Sequence, residues 1–179
     1  MKKVIILALF LMMSLCSCNG KNLEKIQAMM VNDAFVYTDG PSTWHKNEQL
    51  GTEDIREESS LMEFYEDGTF YIGTIKKNRH YVDGELVYYI YHLNMTYQTT
   101  EKLYGTFELK YDKDDNTKII VVLNITKREY ERYDGSTTET EIDEQYTDTK
   151  EYTVHLEDGV IRSIGFYDSQ NYPLLSAVN

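Results

Sequence analysis

The sequence predicts an all-β protein: an antiparallel up-and-down barrel of about eight strands behind one short N-terminal helix, with a β-sandwich as the alternative. Three observations carry this reading. Asp-Gly occurs five times, at 39–40, 67–68, 83–84, 134–135 and 158–159. Between alternating runs it is a strong hairpin signal, because the primed turns need positive φ. The segments between these pairs alternate apolar and polar residues with period two. Composition agrees, since 16 Tyr, many Thr and only 2 Pro suit pleated surfaces better than a helical bundle. About eight to ten strands fit the chain, and a sheet of that size tends to curl and close.

The elements follow in order. Leu23, Ile26, Gln27 and Met30 fall at i, i+3, i+4 and i+7, with Asn22 available as an N-cap, which predicts the short amphipathic helix. Ser59 to Glu66 places Met62 and Phe64 together, and Thr69 to Lys76 returns after the turn at Asp67-Gly68. Glu85 to Thr99 reads as one strand, with Val87, Tyr89, Tyr91, Leu93, Met95 and Tyr97 on one face. His92, Asn94, Thr96 and Gln98 lie opposite. Leu103 to Tyr111 sets Leu103, Gly105, Phe107, Leu109 and Tyr111 against Tyr104, Thr106, Glu108 and Lys110. Thr117 to Thr126 sets Ile119, Val121, Leu123 and Ile125 against Lys118, Asn124 and Thr126. One apolar and one wetter face per strand is the pattern of an antiparallel sheet packed on one side. Lys127 to Tyr133 then turns at Asp134-Gly135 into a Thr/Glu-rich strand, and Thr149 to Leu156 turns at Asp158-Gly159 into Val160 to Tyr167.

Met1-Lys2-Lys3 and the apolar run Val4 to Met13 have the form of a secretory signal, with a run too short to span a membrane. Both cysteines follow, in Leu15-Cys16-Ser17-Cys18. A structural zinc site wants four Cys or His ligands, and no His is near. A redox pair is usually Cys-x-x-Cys inside a folded domain. The stretch resembles the bacterial lipobox, with Leu15 three residues before Cys18 and the small Ser17 just before it. That resemblance implies cleavage before Cys18 and a lipid of the palmitate kind on its sulfur. The chain then divides into a lipoprotein signal peptide, residues 1–17, a lipidated tether with the short helix, 18–33, and a β-barrel domain, 34–179. The domain contains no cysteine, so its stability must come from burial.

A formal charge of −12 repels phosphate backbones, which argues against a nucleic-acid partner. Asp112-Lys113-Asp114-Asp115-Asn116 starts like a calcium loop. It has Thr117 where the loop needs Gly and Leu123 where it needs Glu, and reads as a solvated turn. Glu139, Glu141, Asp143, Glu144, Asp148 and Glu151 form an acidic stretch that reads as a wet face or a guarded sheet edge. The four histidines, His45, His80, His92 and His155, fall in no paired spacing. No Gly-x-Ser-x-Gly, Walker loop or cysteine nucleophile is present, so the sequence indicates no catalytic residue, metal or cofactor, and no enzyme.

Three segments resemble the lipocalin-like lipoproteins of gut Bacteroidetes. Ser42-Thr43-Trp44 opens the first strand in the manner of the lipocalin Gly-x-Trp, with Ser42 in the place of the glycine. Phe64-Tyr65-Glu66-Asp67-Gly68-Thr69-Phe70 is similar to that group's first hairpin. Tyr104 to Leu109, followed by Asp114 to Leu123, is similar to its later Gly-aromatic, polar turn and aliphatic strand. The resemblance implies an eight-stranded barrel, a structural Trp44 closing one barrel end, and a cavity for a small apolar ligand. It implies no catalytic residue. Family analogy also places the anchored protein in the bacterial cell envelope, at the outer membrane.

Two functions are expected from this reading. One is a membrane-tethered barrel holding a small apolar or amphipathic ligand, lined by Tyr89, Tyr91, Leu93, Phe107, Val121 and Leu123. The other is a filled barrel that docks an envelope protein or a glycan on its outside. Exposed aromatics would then stack on sugar C–H faces. The filling of the interior separates the two.

Overall fold

The computed structural model describes residues 22–90, 93–166 and 175–178, with the side chains of 90, 93, 94 and 166 outside the description. A short helix, α1 (22–30), precedes twelve strands. These are β1 (Ala34–Asn47), β2 (Thr52–Phe64), β3 (Thr69–Val82), β4 (Glu85–Val87), β5 (Tyr89–Ile90), β6 (Leu93–Asn94), β7 (Tyr97–Tyr111), β8 (Ile119–Tyr133), β9 (Thr138–Asp143), β10 (Asp148–Glu157), β11 (Val160–Phe166) and β12 (Leu175–Ala177). Eight of them form a closed antiparallel barrel in the order β10-β11-β12-β1-β2-β3-β7-β8, and β10 pairs back onto β8 to close it.

Closure is confined to one end. The first half of β8 pairs with β10, from Ile119↔Val154 to Ile125↔Asp148. Its second half pairs with β9, from Arg128↔Asp143 to Tyr133↔Thr138. On the other side β12 reaches only Phe35 and Val36 of β1. Above that level β1, β2, β3, β7, β8 and β9 continue as a curled sheet that the described residues leave open between β1 and β9. The barrel therefore has a closed lower end and an open upper end.

The interior changes character along this axis. Parity fixes which side chains share a face, since successive strand residues point to opposite sides. The lower rows are apolar and packed. Phe35, Met62, Phe64, Phe70, Leu103, Phe107, Val121, Leu123, Ile125 and Ile164 are all buried there. Phe64 meets Phe107 edge-on at 4.8 Å and Phe35 at 5.9 Å. Helix α1 closes the bottom with Ile26 and Met30, as its period of 3.6 predicts. Asn22 is its first helical residue rather than a cap flanking it, and its amide donates to the Tyr111 hydroxyl at 3.3 Å.

Four of the five Asp-Gly pairs turn hairpins, at 67–68, 83–84, 134–135 and 158–159. Asp83 and Asp158 join Gly84 and Gly159 at positive φ, the conformation a primed turn demands. The fifth pair does not turn. Asp39-Gly40 lies inside β1, where Gly40 has φ 91° at a bulge opposite β2.

Three strand readings are corrected. The first strand opens at Ala34, well before Ser42. Residues 117–126 and 127–133 are one strand, β8, with a bulge opposite Tyr104 and Gly105. Residues 85–99 are not one strand. Strand β7 already occupies the edge of β3 from Thr69 to Asn78, and only His80 to Val82 remain for β4. The chain between β4 and β7 therefore leaves the sheet, and the little β5–β6 ladder forms apart from the barrel.

Candidate binding site at the open end of the barrel

The inner face of the upper sheet carries polar rows. Counting upward from the core, Tyr37, Ser60, Thr74, Glu101 and Tyr130 lie across from one another. Next come Asp39, Glu58, Lys76, Thr99 and Arg132, and above them Ser42, Arg56, Asn78 and Tyr97. The same parity that buries Met62 and Phe64 thus delivers Arg56 and Glu58 to the mouth.

A cleft of about 360 Å³ sits at this level, lined by Asp39, Ser42, Trp44, Arg56, Glu57, Glu58, Lys76, Lys77, Asn78 and Tyr97. Its volume falls within the range of ligand pockets, ~300–1,000 Å³. A pit of about 140 Å³ shares Glu58 and Lys76 with it and is floored by Met62, Ile72 and Leu103. That pit is too small for a ligand of ordinary size. A wider hollow of about 500 Å³ near Lys46 and Tyr81 is less equipped. Lys46 faces Glu48 at 3.8 Å there, and the Asn47 side chain accepts from the backbone N–H groups of Gln49 and Leu50.

Trp44 is the only tryptophan, and it is 63 % exposed. It is the unpaired residue where the β1–β2 register shifts between Thr43 and His45. The bulge aims its indole at the cleft, where the Arg56 guanidinium lies 3.5 Å from the ring centroid. Arg56 Nε donates to the Asn78 side-chain oxygen at 3.3 Å. Asn78 is buried and its amide donates to the Met95 carbonyl at 2.5 Å. Met95 belongs to the excursion between β4 and β7, so that detour fixes the cleft floor.

The charges are partly matched. Lys76 meets Glu58 at 3.1 Å, and Glu57 holds both Lys77 at 3.5 Å and Arg79 at 3.2 Å. Deeper in, Arg128 donates to Glu101 at 2.7 Å. Burial raises the Tyr37 hydroxyl above the ordinary phenol range, and the carboxylates of Asp39 and Glu58 add to it. Burial does the same to Tyr152, helped by Asp148. Both phenols stay protonated, and both line the small pit beneath the cleft.

Of the residues expected to line a ligand cavity, three come together, but in the packed lower core, where all three are buried. Phe107 faces Leu123 across β7 and β8, with Val121 in the next row. Leu109 packs against that core, partly buried. Tyr89 does not face inward: it is 43 % exposed, and its hydroxyl meets Ser136 Oγ at 2.8 Å on the β8–β9 turn. That turn is built on Asp134, whose carboxylate accepts from the backbone N–H groups of Thr137 and Ser136 and is held well below the usual carboxylate range. Tyr91 and the side chain of Leu93 lie outside the described residues, as does Cys18. Trp44 does not close a barrel end as a buried residue; it stands at the open mouth.

Asp112 caps its own turn, accepting from the backbone N–H of Asp114 at 2.7 Å and of Asp115 at 3.0 Å. The acidic strand β9 is an edge strand on the described residues, with Glu139 and Glu141 exposed. Charge on such an edge opposes pairing with another chain.

The fold and this cleft define a class: a small antiparallel barrel, filled at its closed end, with a charged and aromatic cleft at its open end. Comparison with protein-family models, curated proteins and solved structures finds no match for the chain.

Proposed function

We propose that the protein is a non-enzymatic, lipid-anchored binding protein of the bacterial cell envelope, tethered through Cys18 at the outer membrane. Its ligand is a polar or amphipathic molecule of the saccharide class, held in the cleft at the barrel mouth. The observation that carries this is the division of the interior. The lower barrel is packed with buried side chains, so the space available to a ligand is the mouth. There an exposed indole stands among carboxylates, an asparagine and cations. Sugars need that combination, because hydroxyls take hydrogen bonds from and give them to such groups while the C–H face lies on an aromatic ring. An apolar ligand would meet charged walls and gain little.

Trp44 makes the test direct, since tryptophan emission reports on this one site. Titration with a panel of neutral and acidic disaccharides is expected to change that emission saturably. Trp44→Ala should weaken binding measured by calorimetry about tenfold or more, as loss of a central aromatic contact does. A panel that changes neither emission nor heat would remove the proposal. The anchor is checked separately. Cys18→Ala should leave the membrane fraction and keep its leader, and recovery of a processed, membrane-bound Cys18→Ala protein would overturn the lipid assignment.

A further inference from the structure

We infer that the cleft selects a saccharide carrying an anionic substituent, a carboxylate or a sulfate, and that Arg56 is the residue that reads it. This deepens the proposed function and rests on the cleft being the ligand site. Among the described residues Arg56 makes no ion pair, in a chain with 30 acidic side chains and 18 basic ones. The other cations lining the cleft, Lys76 and Lys77, are each held by a carboxylate.

Arg56 is also held in place. Trp44 covers one face of its guanidinium and Asn78 takes its Nε–H. Asn78 is itself buried and fixed by the Met95 carbonyl. Of the five N–H donors of a guanidinium, the four on the terminal nitrogens then remain for a ligand. Their planar fork matches a carboxylate or one face of a sulfate, and the clamp removes rotamer freedom that a free arginine would lose on binding.

The carboxylates nearby set the rest of the ligand. Asp39 and Glu58 face the same cleft, and Asp39 has no cation across the sheet, where it meets Glu58. A bare anion would be repelled by them. A sugar places hydroxyl donors on those oxygens while its charged group sits on Arg56 and its ring on Trp44. An acidic sugar therefore satisfies three features of the cleft together, and an inorganic anion satisfies one.

The test is calorimetric titration of the parent, Arg56→Gln and Arg56→Lys proteins with three disaccharides. One contains a hexuronic acid, one is its carboxyl-reduced neutral counterpart, and one is a sulfated neutral disaccharide. The parent is expected to bind the acidic sugars about tenfold more tightly than the neutral one, the gain of a charge-assisted pair. Arg56→Gln should lose that preference, its affinities for the acidic and neutral sugars converging. Arg56→Lys should keep part of it, with a steeper loss in salt. Circular dichroism confirms that each variant is folded. A parent that binds neutral and acidic sugars equally, or an Arg56→Gln protein that keeps the preference, overturns the proposal and leaves the saccharide site standing. Failure of all three sugars to bind overturns the site and the proposal together. If only the uronic acid, or only the sulfate, shows the Arg56-dependent gain, that arm identifies the anionic group.

Discussion

Phe107→Ala is expected to lower unfolding stability by about 3–5 kcal/mol, the cost of emptying an aromatic site in a close-packed core. Phe107 is buried and packs edge-on against Phe64 at 4.8 Å, which in turn packs on Phe35. Truncation removes the ring contacts and leaves a void that the rigid barrel wall cannot collapse to fill, because Phe107 sits on a strand paired on both edges. The aromatic pairing adds roughly 0.5–1.5 kcal/mol to the area lost. Its neighbour Glu108 points outward and is exposed, so Glu108→Ala should change stability by no more than about 0.5 kcal/mol. Urea unfolding of both variants beside the parent measures the difference, with comparable slopes confirming a common transition. A loss below about 1 kcal/mol for Phe107→Ala would mean that the lower barrel is hollow, and the interior ligand site would return.

Gly105→Ala is expected to cost on the order of 3 kcal/mol, at the upper end of overpacking effects. A Cβ at Gly105 would lie 2.0 Å from the Asn124 carbonyl oxygen and 2.9 Å from the Ile125 Cα. Those are backbone atoms of β8, and they cannot rotate away. Relief requires the β7 and β8 backbones to part at the bulge where their register shifts. The constraint is space alone, because Gly105 is not among the glycines at positive φ. Gly159 provides the converse. It has φ 77° and open space around it, so Gly159→Ala should cost only the left-handed backbone penalty, ~1–2 kcal/mol. Thermal unfolding of the two variants separates the mechanisms, and a Gly105→Ala protein as stable as the parent would place the bulge elsewhere.

Most of the barrel wall was legible as alternation. Leu103 to Tyr111 alternates, and its apolar parity faces the core. Ile119 to Leu123 is instead apolar at every place. Ile119, Val121 and Leu123 join the core cluster, and Ile120 and Val122 on the other parity are buried as well. The upper halves of β2 and β3 were not legible in this way. Thr52 to Ser59 has almost no apolar alternation, and its strand is held by backbone pairing and cross-strand ion pairs such as Glu58–Lys76. Val87 to Tyr97 shows the opposite failure. Its alternation imitates a strand, but the β3 edge it would need is taken by β7. Tyr89 was lost with that reading, and it braces the β8–β9 turn instead.

The cleft residues Trp44, Arg56, Asn78 and Tyr97 were missed as a group. A signal was present: extending parity upward from Met62 and Phe64 brings Glu58 and Arg56 onto the inner face, which marks where the apolar core ends. Trp44 escapes even that rule, because a bulge on β1 sets its direction.

By itself the sequence determined the strand class, four of the hairpin turns, the amphipathic helix and the inward parity of the lower core. These are local properties, set by side-chain alternation and by the φ that Asp-Gly permits. Only the tertiary structure decided that β10 closes onto half of β8, that the other half opens with β9 into a polar mouth, and that Trp44, Arg56 and Asn78 meet there. Closure and register depend on which edges remain unpaired after the other strands have taken theirs. No single segment carries that information, because it belongs to the pairing of the whole sheet.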